Sequence, residues 1–142
     1  MEDRVLDWAV YEKTAREMAA EGLVLLKNDN KALPLKQGET VSVFGRMQNH
    51  YYKSGTGSGG MVNVAKVVGI LEALNECKDV NVNQKLAETY AAWDKEHPVE
   101  LGLGWGQEPW SQAEMPVTDE LVQEAAGESD SAIVIIARTA GE

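Results

Sequence analysis

The stretch most open to chemistry is residues 53–60, Lys-Ser-Gly-Thr-Gly-Ser-Gly-Gly. Gly55, Gly57, Gly59 and Gly60 permit positive φ angles and let the backbone come close to a ligand or another domain. Lys53, Ser54, Thr56 and Ser58 supply polar groups along the same stretch, a set suited to a substrate loop. Gly55, Gly57 and Gly60 also meet the spacing of a dinucleotide fingerprint. That fingerprint follows its strand at once, however, whereas about nine residues separate Gly45 from Gly55. No Gly-Lys-Ser/Thr closes the run as a phosphate loop requires, and Gly57-Ser58-Gly59 is too short for a nucleophile elbow. A surface loop with flexible turns is the plain alternative. Tyr51, Tyr52, Trp105 and Trp110 fall in loop contexts, where flat aromatic faces can stack on sugar rings; anchoring the loop by burying area is the commoner use of each tryptophan. Glu142 follows an apolar strand pattern, at the position where α/β folds carry functional loops. His50, His97 and the single Cys77 are isolated from one another, and no acidic cluster has loop-ligand spacing, so neither a metal site nor a cofactor is expected.

These residues need elements to position them, and the chain reads as alternating helices and strands. Trp8, Tyr11, Ala15, Met18 and Ala19 share a helical face, with Asp7 as the cap and Gly22 as a left-handed stop. Residues 23–26, apolar throughout, predict a buried parallel strand closed by the polar turn Asn28-Asp29-Asn30. Residues 40–45 repeat the pattern. A helix is expected from Val64, Val67, Val68, Leu71 and Leu74, a short strand over residues 79–82, and a helix on the stripe Leu86, Tyr90 and Trp93. Residues 101–116 lack periodicity and predict a long ordered loop. Thr118 caps a last helix with Asp119 and Glu120 in its first turn, and residues 131–137 form the most hydrophobic strand.

The fold class is therefore α/β, an incomplete three-layer α/β sandwich with a mostly parallel sheet, since no helix follows residues 131–137 to cover them. At 142 residues and 44% hydrophobic content, one domain or part of one is the ceiling. A net charge of -10, from 13 basic and 23 acidic residues, repels phosphate backbones and anionic lipid heads, so nucleic acid and membrane surfaces are poor partners. The amphipathic start and the lone cysteine lead us to expect a cytoplasmic protein.

Read in order, AREMAAEGLVLLKN (15–28), ALPL (32–35), VSVFGR (41–46), YYKSGTGSGGMVNV (51–64), GLGWGQEPWSQ (102–112) and AIVIIARTAGE (132–142) resemble the carboxyl-terminal sandwich domain of family-three glycoside hydrolases, particularly the β-glucosidase-like members. The resemblance covers essentially the whole chain, residues 1–142, as a partial domain. It implies retaining hydrolysis of β-linked glucosides or short oligosaccharides. A barrel domain, absent from this sequence, would supply an aspartate nucleophile, and the sandwich domain the general acid/base glutamate. Glu142 is the one position that matches that role, and residues 53–60 resemble the family's glycine- and serine-rich loop facing the site. The isolated chain is then expected to be inactive. A noncatalytic carbohydrate-binding or assembly module is the other reading. The open edges of so small a sheet further lead us to expect a homo-oligomer.

Overall fold

An apolar stripe makes a helix only where its ends are satisfied, and the caps carry much of this fold's definition. The computed structural model describes residues 5–51, 64, 66–100, 102 and 106–139. It divides into two units, Met1–Pro34 and Leu35–Glu142.

In the first unit, helix α1 spans Trp8–Glu21, and the Asp7 carboxylate accepts from the Ala9 and Val10 amides at 3.1 and 3.2 Å. Its end departs from expectation. Gly22 has φ -77°, so the helix stops without a left-handed residue, and the Gly22 amide still bonds Met18 O at 3.0 Å. The buried strand expected over residues 23–26 is also corrected: among the described residues these pair with no strand, and Leu26 is 91% exposed. The polar turn that follows is closed by Asn28, whose amide nitrogen donates to Leu33 O at 2.6 Å and whose oxygen accepts from Leu33 N.

The second unit is built on a parallel sheet of three strands in the order β2-β1-β3, with β1 Thr40–Phe44, β2 Asn81–Val82 and β3 Ser131–Val134. Val41 pairs with Val82 on one side and Ser131 on the other, and Phe44 pairs with Val134. Helix α2 (Ile70–Glu76) lies between β1 and β2 in sequence. Helices α3 (Gln84–Glu96) and α4 (Asp119–Glu128) lie between β2 and β3. Asn83 caps α3 through the Leu86 amide, and Thr118 caps α4 through the Leu121 amide. The helix expected from Val64 onward is shorter: the described residues among 64–69 are irregular, and α2 begins at Ile70.

Ser42 sets the packing of the sheet on its helices. Its hydroxyl is 3.1 Å from the Asn83 amide at the start of α3 and 2.8 Å from the Ser129 hydroxyl at the end of α4. Phe44, on the same face two residues on, packs against the cluster of Leu86, Tyr90, Met115 and Ala125. Lys85 joins the two helices at the surface by pairing with Glu124 and Glu128, and its ammonium is held above the ordinary lysine range by the Glu124 hydrogen bond first. The strand expected over residues 131–137 is also shorter than its apolar run. It ends at Val134 and forms an edge of the described sheet. Ser131 and Ile133 are half-buried, while Ala132 and Val134 are exposed. An unbroken apolar run suggested cover on both faces; among the described residues, only one receives it.

Candidate functional site

Parallel strands release their following chains at one edge, and β1 and β3 do so side by side. The last ladder bond runs from Ile135 N to Phe44 O at 2.8 Å. At the position after β1, Gly45 turns with φ 104°, and a Cβ there would lie 2.3 Å from Ile135 O. Only glycine meets both demands.

The chain after Gly45 goes inward. Arg46–Gln48 forms a buried 3-10 turn in which Arg46 is 2% exposed. A buried guanidinium must find acceptors for its donors. Nη1 donates to Ala113 O at 2.9 Å, and Nη2 donates to His97 O and pairs with Asp94 Oδ1 at 3.0 Å. The guanidinium also lies 4.7 Å from the centre of the Trp93 ring, which stacks on His97 at 4.3 Å. Asp94, 8% exposed, holds the next two residues: the Asn49 amide donates to Oδ2 at 2.6 Å, and His50 Nε2 lies 3.5 Å from the same oxygen. Glu114 accepts from the Arg46 amide at 2.9 Å. Tyr90 stands beneath this cluster. Burial pushes its phenol above the ordinary range, a backbone bond at Gly45 opposes that, and the Glu114 and Asp94 carboxylates add to it.

Arg46 thereby ties together both ends of the loop between α3 and α4. Within that loop the Gln112 amide accepts from Glu100 N at 2.9 Å and donates to Glu100 O at 2.8 Å, an imitation of a strand pair. Gly102, at φ 75°, lies so near residue 107 that a Cβ would be 2.3 Å from Gln107 O. The expectation of an ordered loop agrees with its described residues. Its far side reaches the chain after β3: Thr139 Oγ1 donates to Pro109 O at 2.9 Å and Thr139 N to Trp110 O at 2.8 Å.

Among the sequence-predicted residues, Trp110 stands at this edge, 67% exposed, with the Arg138 guanidinium 5.0 Å from its ring centre. Its exposure overturns the expectation that it anchors the loop by burial. Tyr51 is partly exposed beside Gly69. Tyr52, Lys53, Ser54, Thr56, Ser58, Trp105 and Glu142 lie outside the described residues. A groove between α4 and the sheet, lined by Ser42, Phe44, Val122, Ala125 and Ala132, opens on the sheet face and contains none of these positions. Among the described residues no three of His, Cys, Asp and Glu cluster as metal ligands.

Sequence reasoning passed over Arg46, Asp94, Gln112 and Thr139. One signal was available: Leu86, Tyr90 and Asp94 recur every four residues on α3, so the apolar stripe ends in a carboxylate that had to be buried and paired.

The chain is similar to known proteins. Residues 23–142 match the model of the glycosyl hydrolase family 3 C-terminal domain. A β-glucosidase of Ruminococcus albus is 55% identical over 137 residues, covering 96% of this chain, and β-glucosidase A of Butyrivibrio fibrisolvens is 33% identical over 127 residues, covering 89%. The chain spans only 14% and 15% of those relatives. A crystal structure of a β-glucosidase from Paenibacillus barengoltzii matches all of the chain, and 15% of its own length, with a TM-score of 0.87 and 52% identity. β-Glucosidase 3B of Thermotoga neapolitana, in complex with α-D-glucose, matches 96% of the chain and 19% of itself, with a TM-score of 0.75 and 31% identity. The chain belongs to the glycosyl hydrolase family 3 C-terminal domain family.

Proposed function

We propose that this chain forms the sandwich-domain side of a retaining β-glucosidase active site acting on β-linked glucosides or short oligosaccharides. In this reading Glu142 is the general acid/base and a barrel domain supplies the nucleophilic carboxylate. The observation that carries it is the parallel pairing of β1 and β3, which release their chains at one edge; in the sequence, residues 53–60 follow β1 and Glu142 follows β3. Glu142 would protonate the departing glycosidic oxygen while the nucleophile forms a glycosyl ester. As a carboxylate it would then take a proton from the water that cleaves that ester, which restores both groups. Exposed Trp110 offers an aromatic face for a sugar ring at the same edge. In the isolated chain, the exposed Val134 and Ile136 favour self-association along β3.

The test uses the Ruminococcus albus β-glucosidase with this chain in place of its matched span. Glu142→Gln should lower kcat/KM on cellobiose by about 100-fold or more. Azide should restore turnover of an activated aryl glucoside and yield the β-glucosyl azide. Full activity in Glu142→Gln would overturn the assignment, as would saturable hydrolysis of aryl β-glucosides by the isolated chain. If the isolated chain binds cellobiose in a calorimetric titration, loses that binding in Trp110→Ala, and Glu142→Gln stays active, the carbohydrate-binding module becomes the better reading.

A further inference from the structure

The fold lays an arginine over a tryptophan twice, and packing accounts for only one of the two pairs. Arg46 lies 4.7 Å from the Trp93 ring centre, but that guanidinium is buried and pairs with Asp94, and the half-buried ring is stacked on His97 as well. Arg138 lies 5.0 Å from the Trp110 ring centre, and both of these residues are exposed. Among the described residues the Arg138 guanidinium pairs with no carboxylate; its Nη1 donates to Ala137 O at 2.7 Å. The backbones on either side are clamped together, since Thr139 N donates to Trp110 O at 2.8 Å and Thr139 Oγ1 to Pro109 O at 2.9 Å. That clamp fixes the main chain and leaves the indole free to turn about its own side-chain bonds. The guanidinium is what meets the ring. It covers one face only, and at 67% exposure the other face is open.

We propose that Arg138 is a positioning residue for Trp110, holding the indole from one side so that its opposite face is presented to a sugar ring of the substrate. The proposal rests on the reading of Trp110 as a sugar-facing ring made above. A side chain that is ordered only on binding loses rotamer freedom at that moment, and one already held loses less. Planar guanidinium on an indole face is well suited to such holding, because the contact is attractive and leaves the opposite face unobstructed. The contact acts on binding of the sugar and is the same before and during the reaction, so its loss should appear in KM and not in kcat.

The same chimeric β-glucosidase tests this on cellobiose with Arg138→Leu, Trp110→Ala and the double variant. Arg138→Leu should raise KM about three- to fivefold with kcat within about twofold of the parent. In the Trp110→Ala background, Arg138→Leu should change KM no further, because an arginine that acts through the ring has nothing left to hold. An Arg138→Leu enzyme with unchanged KM, or with a fall in kcat instead, would overturn the proposal. So would an equal rise in KM in both backgrounds, the result a general structural role gives. If Trp110→Ala itself leaves KM unchanged, the sugar-facing reading and this proposal fail together, whereas a Trp110 effect without an Arg138 effect removes this proposal alone.

Discussion

β1 and β3 are neighbours in one parallel sheet and are written in the same apolar alphabet, yet their surroundings differ. β1 is central: Val41, Ser42 and Val43 are all buried, and even the chain beyond it, Arg46–Gln48, stays inside. β3 forms an edge of the described sheet, where Val134 is 67% exposed although its register partner Phe44 packs into the core. A central strand must pass its chain into a medium where polar groups need partners, and the Arg46–Asp94 cluster supplies many of them, though Arg46 Nε and Gln48 Oε1 stay without a hydrogen bond among the described residues. An edge strand passes its chain toward solvent, so the segment that follows depends on a loop from elsewhere to fix it. The strand with less cover is also the one that leads to the candidate acid/base.

The contrast can be broken most severely at Arg46. Arg46→Ala should destabilise the isolated chain by about 3–5 kcal/mol in urea unfolding, because it leaves the Asp94 carboxylate buried without its cation. A change below about 1 kcal/mol would mean that water reaches Asp94 and that the end of β1 is no more buried than the end of β3. Gly45→Ala comes next. It puts a side chain at a positive φ and against Ile135 O, and a loss of about 2–3 kcal/mol is expected from thermal or urea denaturation. The smallest effect belongs to the exposed strand. Val134→Lys should leave stability within about 0.5 kcal/mol of the parent. It should also shift any self-associated chain toward the 15.5 kDa monomer in sedimentation equilibrium.

Much of this was legible in local chemistry. The caps Asp7 and Thr118, the α3 stripe of Leu86, Tyr90 and Trp93, and the strand at residues 40–44 are each specified by neighbours within a few positions. Residues 23–26 and 131–137 were not separable on that basis, since both are apolar runs bounded by polar turns. Among the described residues the first pairs with no strand, whereas Ser131–Val134 of the second joins a sheet, because a strand exists only if another strand offers it a ladder. The family was also readable from the order of short motifs along the chain, and with it the candidate glutamate and the glycine-rich stretch. The structure alone decided the long-range contacts among the described residues. That Arg46 would reach carbonyls more than 50 positions away at His97 and Ala113, and that Thr139 would bond Pro109 and Trp110 across 30 positions, depends on contacts between distant segments. Periodicity reports which face of an element is apolar; it carries no information on which loop will lie across the end of which strand. That is settled when helices close over the sheet and the buried polar groups left at its edge must find partners.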